Sequence, residues 1–363
     1  MQRLQNLRNK LLPGGPDGLL IGSSPNRRYL SGFRGSAGWL LITSSGARLA
    51  VDFRYVEQAR QEADGFEILY ISGGLRDWLP GLVSGLGIHQ LGIEADHLPY
   101  ATYLVLAQLA KTAKPPFKLL PVKNTVEDLR ILKDRDELAA IEKACGIADD
   151  AIRALAGHIQ AGVSEKQVAW ELESLLRQKG SDTLPFEIIV ASGPNAARPH
   201  AQPSGRLICE GETVIIDFGA RCGGYCSDMT RTFMLGEQTE KFNTVYNIVL
   251  GAQLTALSII ENGMAARAAD ALARGMIDRA GYGEFFGHGL GHGTGLETHE
   301  APRIGTMSDD ILQEDMAFTI EPGIYLPGWG GVRIEDTVTI TDGKLRTLTH
   351  AAKSPVLKEA KTP

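Results

Sequence analysis

The sequence predicts two domains: a small α/β domain, then a larger α+β domain built around two acidic hairpins. Three observations carry this reading. The chain has 363 residues, more than one hydrophobic core usually holds. Its first third alternates short strand and helix signals, the rhythm of an α/β unit. Its remainder twice runs through two helical stretches followed by a hairpin with carboxylates set among apolar residues. The expected division is 1–122 and 123–363.

In the first domain, residues 19–21, 39–43 and 49–51 read as strands. A helix is expected from Asp52, then a strand at 66–71, a helix at 75–86, a strand at 91–93 and a helix at 99–111. The Gly-rich stretch 31–38 lacks the Gly-Lys-Ser/Thr ending of a phosphate cradle and reads as a mobile loop. Residues 111–125, with three prolines and four lysines, read as the connector. A long helix is expected over 127–159, broken near 133–136. Ser164 with Gln167 marks the start of the next helix. Residues 184–191 read as a strand, followed by the polar loop S-G-P-N-A-A-R-P-H-A-Q-P-S, which carries His200. Helices are expected at 240–261 and 265–280, a Gly/His loop at 286–300, and a last hairpin with strands at 317–321 and 332–340.

Composition narrows the function. Hydrophobic residues make up 43% and charged residues 22%, ordinary for a globular chain. A net charge of −6 and a pI near 5.8 give no reason to expect a nucleic-acid or membrane partner. No apolar run approaches the roughly 18 residues of a membrane span. The N-terminus, M-Q-R-L-Q-N-L-R-N-K-L-L-P, reads as a short amphipathic helix and not as a signal peptide. Four cysteines in this length suggest a reducing compartment, hence a cytoplasmic protein. Cys222 and Cys226 have no second Cys or His pair at zinc-site spacing and read as structural thiols.

The chemistry starts in T-V-I-I-D-F-G-A-R-C-G-G-Y-C-S-D-M-T-R-T, residues 213–232. With Cys222 and Gly223 as the hairpin loop, Asp217 faces Asp228. With Gly223 and Gly224 as the loop, the two are diagonal neighbours on one face. Either register sets two like charges roughly 5–8 Å apart beside apolar strands. A divalent metal would offset them, as would a shared proton or an Arg partner, Arg221 or Arg231. The second hairpin repeats the pattern. Glu321 closes M-A-F-T-I-E, and Glu335 lies inside V-R-I-E-D-T-V-T-I, where Arg333 could pair with only one of the two acids. Between the hairpins, His288, His292 and His299 fall within twelve residues, although the chain has only eight histidines. Asp217, Asp228, His292, Glu321 and Glu335 form a hard, oxygen-rich set. It suits Mn²⁺, Co²⁺, Fe²⁺ or a Zn²⁺ pair, with Mn or Co favoured, better than a thiolate zinc site. Four negative charges can hold two divalent ions, about 3.5–4 Å apart in such sites.

These motifs, with G-H-G-L-G-H, E-P-G-I-Y and R-I-E-D-T, resemble the metallopeptidases of the prolidase, aminopeptidase P and methionine aminopeptidase family, which share the pita-bread fold. The resemblance covers about 129–350. Y-L-S-G-F near the N-terminus resembles the domain that prolidase and aminopeptidase P carry and most methionine aminopeptidases lack. All five ligands are present, whereas creatinase lacks them. The resemblance implies a creatinase-like N-terminal α/β domain and a pita-bread catalytic domain that cleaves Xaa-Pro bonds with a hydroxide bridging two metal ions. It implies Glu321 as ligand and general base, His200 and His299 as hydrogen-bond donors to substrate and intermediate, and His288 on the leaving-group side. Arg333 is expected to hold substrate or neighbouring carboxylates, and Phe186 to form a wall for the proline ring. Arg303, in H-E-A-P-R-I, is expected to meet the free carboxylate of a dipeptide, which favours Xaa-Pro dipeptidase over Xaa-Pro aminopeptidase. A catalytically silent interaction protein is the reading of another class, and the complete ligand set argues against it. The expected partners are short proline-containing peptides and a second copy of the chain, with the 31–38 loop as the candidate contact in a homodimer.

Overall fold

The computed structural model describes residues 2–11 and 14–356. Met1, Leu12 and Pro13 of the expected N-terminal helix lie outside them. The chain divides into two compact units, Met1–Arg130 and Ile131–Pro363. No helix among the described residues is long and apolar enough to cross a membrane.

The first unit contains α1 (Gln2–Leu11), β1 (Gly18–Ile21), α2 (Ser24–Ser31), β2 (Trp39–Thr43), β3 (Ala47–Val51), α3 (Val56–Glu62), β4 (Glu67–Tyr70), α4 (Leu75–Gly85), β5 (Gln90–Glu94), α5 (Tyr100–Thr112), β6 (Lys118–Val122) and α6 (Glu127–Arg130). Its six-stranded sheet has the order β4-β3-β2-β1-β5-β6. The central strand β1, buried at every residue, runs antiparallel to β2 and parallel to β5. Leu20, Leu41, Leu91 and Ile93 pack there with Leu106 of α5 and Leu79 of α4.

Three expectations fail in this unit. The helix expected from Asp52 begins at Val56, because the Asp52 carboxylate accepts the backbone N–H and guanidinium of Arg54 and closes a turn first. The 31–38 loop is pinned, not loose: the buried Arg27 guanidinium donates to the carbonyls of Gly22 and Gly35. The expected connector contains β6, which pairs parallel with β5. β6 ends at Val122, at the expected division of 122/123, and the compact unit closes at Arg130. Arg130 Nη1 donates to Asn26 Oδ1 at 2.8 Å, and Tyr29 Oη donates to the Leu129 carbonyl at 2.8 Å.

The second unit holds α7 (Arg135–Leu155), α8 (Glu165–Gln178), β7 (Ile189–Ser192), β8 (Thr213–Phe218), β9 (Arg221–Cys222), β10 (Tyr225–Cys226), β11 (Met229–Met234), α9 (Glu240–Ile259), α10 (Ala266–Arg279), β12 (Gly291–Gly293), β13 (Glu300–Ile304), β14 (Ala317–Ile320), β15 (Gly323–Leu326), β16 (Gly330–Arg333), β17 (Asp336–Thr341) and β18 (Lys344–Thr347). Helix α7 starts where the break was expected, because Asp134 and Glu137 cap each other's backbone N–H groups. Ser164 and Gln167 do the same for α8. Each helix pair covers its own sheet. Ala144, Ala148, Leu172 and Leu176 of α7 and α8 pack on Val190, Val214 and Ile216. Val245, Val249, Ala269 and Ala273 of α9 and α10 pack on Phe318, Ile320, Val338 and Ile340.

The first hairpin takes the second of the two possible registers. Gly223 and Gly224 form its two-residue loop, both at positive φ (55° and 87°), which glycine adopts without strain. Asp217 accordingly faces Thr230, and Asp228 is its diagonal neighbour. The second hairpin is broken in two. Its strands pair as β14 with β17 and, further on, as β15 with β16. The pairing Ile320↔Asp336 and Gly323↔Arg333 keeps one register across the break, so Glu321 and Glu335 face each other at the gap between the ladders. The strand expected at 184–191 forms only from Ile189. Within the expected Gly/His loop, β12 is a short strand between β13 and β14.

That strand needs its glycines for close approach. A Cβ on Gly293 would lie 2.0 Å from the Ala301 carbonyl oxygen, and one on Gly291 2.0 Å from that of Thr319. Both contacts are backbone and cannot yield locally. Gly293→Ala is therefore expected to destabilise the metal-free chain by about 1–3 kcal/mol in denaturant unfolding; an unchanged midpoint would show that β12 is not held as tightly as this.

Candidate metal centre

One cavity of about 430 Å³ gathers the charged residues of both hairpins. Asp217 reaches it from β8, Asp228 from the residue before β11, His292 from the middle of β12, and Glu321 and Glu335 from the paired gap in the second hairpin. Ligand atoms of Asp228, His292 and Glu335 lie within 4.8 Å of one another. His292 Nδ1 is 3.1 Å from the Gly293 carbonyl, which can only accept, so Nδ1 carries the proton. The Nε2 lone pair then faces Glu321 Oε1 at 3.3 Å and Asp228 Oδ2 at 3.6 Å.

Each carboxylate is oriented from behind. Thr230 Oγ1 donates to Glu335 Oε2 at 2.6 Å, and Thr319 Oγ1 donates to Glu321 Oε1 at 3.0 Å. Arg333 Nη2 donates to Asp217 Oδ2 at 2.6 Å, while the buried Asp217 Oδ1 has no hydrogen-bond partner. This differs from the pairings considered from sequence. Arg333 takes Asp217 and not its near neighbour Glu335. Arg231 turns away from both aspartates, donating to the Glu335 carbonyl and to Asp336 Oδ1 at 2.8 Å.

Crowding sets the electrostatics. Burial, then the charges of Glu335, Asp217 and Glu321, push the Asp228 carboxyl well above the ordinary carboxylate range. Burial and Glu321 do the same to Glu335, and burial raises Glu321. Burial lowers His292, so its imidazole is neutral. A set of acids that resists ionisation, a neutral imidazole lone pair and an orphaned carboxylate oxygen all point into one space. The donor chemistry fits divalent cations, which would replace the protons these groups otherwise retain.

The cavity brings together ten of the eleven residues singled out from sequence. Phe186, His200, His288, His299 and Arg333 line it with the five acidic and imidazole ligand candidates. Arg303 does not line it. It is exposed on β13, across the ladder from His292, and its backbone N–H donates to Asp310. Of the eleven, Arg303 is thus the residue that stands outside the cavity, exposed although its ladder partner His292 lines it.

Tyr325 is the residue that sequence reasoning passed over. Its hydroxyl accepts from Arg333 Nη1 at 2.8 Å and donates to His288 Nε2 at 2.9 Å. His288 Nδ1 donates to the Gly289 carbonyl at 2.8 Å, so both its ring nitrogens are engaged. Burial pushes the Tyr325 hydroxyl up to about 12, which keeps it a donor. The signal was present: Tyr325 lies an even number of residues beyond Glu321, on the same face of the hairpin. His299 stacks against His292 with ring centroids 4.2 Å apart, and desolvation together with His292 lowers its pKa.

The metal-free site has a testable pH signature. Carboxyls whose folded pKa is raised bind more protons folded than unfolded. Their contribution is thus lost as pH rises from the ordinary carboxylate range through the raised values. Bound cations require those groups ionised. The melting temperature gained on adding Mn²⁺ is therefore expected to be larger near about pH 8 than near about pH 5; equal gains at both would contradict the clustered-acid account.

The chain is similar to known proteins along nearly its whole length. Residues 139–342 match the model of metallopeptidase family M24, and residues 3–132 match that of the creatinase/prolidase N-terminal domain. An Xaa-Pro dipeptidase of Pyrococcus horikoshii is 41% identical over 93% of this chain and 93% of its own. The solved structure of an Xaa-Pro dipeptidase from Bacillus anthracis superposes with a TM-score of 0.94, at 43% identity, over 98% of this chain and 99% of that one. An X-Pro aminopeptidase structure from Thermotoga maritima gives 0.88 at 36% identity, over 96% and 99%.

Proposed function

The chain belongs to metallopeptidase family M24, with a creatinase-type N-terminal domain and a pita-bread catalytic domain, and on that premise we propose that it is an Xaa-Pro dipeptidase holding two divalent ions. The observation that carries the reading is the convergence of Asp217, Asp228, His292, Glu321 and Glu335 in one cavity with three further imidazoles, His200, His288 and His299. Asp228, His292 and Glu335, whose ligand atoms lie within 4.8 Å of one another, would hold metal together with the other two acids. Asp217 and Glu321 would complete the ligand set. When bound, the ions supply Lewis acidity and an activated water; Mn²⁺ or Co²⁺ suits this oxygen-rich set.

The chain's own residues do the rest. Glu321, oriented by Thr319 at the cavity wall, is placed to take the proton of the attacking water. That proton passes to the proline nitrogen as the C–N bond breaks, and the water oxygen ends in the new carboxylate. His200 and His299 stand at the cavity wall, where their N–H groups meet the carbonyl oxygen as it gains charge. Arg333, fixed by Asp217 and Tyr325, holds the geometry of the acids. His288 braces Tyr325 from the leaving-group side. An Xaa-Pro bond has no N–H, so its pocket needs an apolar wall. Phe186, Ile189 and Pro199 provide one. With Arg303 outside the cavity, the free carboxylate of a dipeptide falls to the imidazoles.

Dipeptidases of this length and fold among the relatives support the dipeptide preference, and the aminopeptidase structure at 36% identity keeps the longer-peptide activity as the second reading. Proline-containing peptides are the substrates on either reading. The reading includes a homodimer and a cytoplasmic location, the latter supported by four cysteines that are all free thiols. Hydrolysis of Ala-Pro and Ala-Pro-Ala by Mn²⁺-loaded protein tests it. Ala-Pro is expected to be cleaved at a kcat/KM at least about tenfold above that of the tripeptide, a difference of about 1.4 kcal/mol in transition-state binding. Activity on the tripeptide alone would establish the aminopeptidase, and less than one ion per chain after Mn²⁺ loading would remove the enzyme reading.

A further inference from the structure

Glu165, the first residue of α8, is fully buried, yet it belongs to neither hairpin and has no place in the reaction described above. Its carboxylate accepts six hydrogen bonds from three residues. Oε1 accepts from the Ser192 backbone N–H at 2.8 Å, the Ser192 hydroxyl at 2.8 Å and Asn195 Nδ2 at 3.0 Å. Oε2 accepts from Asn195 Nδ2 at 3.1 Å, the Ser204 backbone N–H at 3.0 Å and the Ser204 hydroxyl at 2.6 Å.

The placement of those donors is what matters. Ser192 ends β7, and Ser204 lies where the chain leaves the cavity. Between them run the short 3-10 helix Gly193–Ala197 and then Pro199, His200, Ala201, Gln202 and Pro203, five consecutive residues of the cavity wall. One carboxylate thus joins both ends of the loop that presents His200. The start of α8 reinforces the closure: Lys166 N–H donates to the Ser204 carbonyl and Glu165 N–H to that of Arg206. Arg206 Nη1 in turn donates to the Ser192 hydroxyl at 2.8 Å. Ala196 and Ala201 of the loop pack with Ile215 and Tyr325, and Arg333 Nη1 donates to the Pro199 carbonyl at 3.3 Å; the charge-assisted hydrogen bonds of Glu165 fix the two ends of the loop. Burial would raise the Glu165 pKa, but the donors from Ser204, Asn195 and Ser192 outweigh it and keep the group ionised.

We propose that Glu165 is a positioning residue for His200, a clasp that closes the 192–204 loop and sets the imidazole at the cavity wall. The inference rests on His200 serving the substrate as proposed above. Helix capping alone would also explain an acid at the first position of α8, so the test must read the loop and the imidazole, not only stability.

A double-mutant cycle on the full-length, Mn²⁺-loaded chain does so, with Ala-Pro as substrate. Glu165→Gln puts an amide N–H₂ against donors and is expected to lower kcat/KM on the order of tenfold to a hundredfold, the scale of a misplaced catalytic group. Metal content should stay at the wild-type value. In a His200→Ala background the same substitution should change kcat/KM by no more than about twofold, because the imidazole it positions is gone. Hydrogen exchange should rise in amides 193–203 and not in the hairpins. Ser204→Ala removes one neutral donor and no charge. It provides the same cycle, with a smaller fall, should Glu165→Gln fold poorly. An equal loss in both backgrounds, or unchanged exchange in the loop, overturns the clasp while leaving the role of His200 intact. Wild-type kcat/KM in His200→Ala overturns both readings together.

Discussion

Four carboxylates share one cavity, and the second unit is arranged to tolerate that. Asp217, Asp228, Glu321 and Glu335 repel one another, and among the described residues that line the cavity Arg333 is the only Lys or Arg. One guanidinium cannot offset four acids. The remaining charge is relieved either by protons, which is why burial and mutual repulsion raise Asp228, Glu321 and Glu335 together, or by metal ions. Competition between protons and divalent cations for the same oxygens links stability, metal binding and pH in this chain.

The scaffold bears this strain by distributing it. Asp217 is paired on both sides within β8, Asp228 stands just before β11, and Glu321 and Glu335 lie in the gap between two ladders, so their backbones are held while their side chains converge. Behind Glu335, the buried Arg231 grips the backbone carbonyls of Thr230 and Glu335 and pairs with Asp336, which Lys353 and Gln253 also reach. The histidine loops are held in a parallel way, each by a charge away from the acids. Glu165 closes the loop of His200. Arg274, paired with Asp270, donates to the carbonyls of Phe286 and His288. The buried Lys133 pairs with Glu300, the neighbour of His299, at 3.2 Å. Polar groups so placed favour one arrangement of the loops more than they add net stability.

Much of this was legible in the chain itself. The acidic residues stood out because a carboxylate in an apolar strand is costly without a partner, and two such hairpins point to one site. The register of the first was open between two choices that differ by one loop residue, and the positive φ of Gly223 and Gly224 decides it. Other features depend on direction, which residue type does not report. Arg303 has the right charge in the right neighbourhood but lies on an outward-facing edge position. Glu165 reads as a solvated first-turn acid, yet it points inward and gathers a loop twenty-seven to thirty-nine residues away. Strand β6 was hidden by Pro121, which an edge strand accommodates and a central one would not. Tyr325 was visible by alternation but carries no charge to draw attention.

The central claim is that the acids of both hairpins and His292 form a single two-ion site. Anomalous diffraction at the manganese absorption edge, from crystals of the full chain grown with Mn²⁺, tests it most directly. The account predicts two anomalous peaks in the cavity, about 3.5–4 Å apart, bonded between them to Asp217, Asp228, His292, Glu321 and Glu335. A cavity without anomalous signal, or manganese bound only at surface carboxylates, would contradict it.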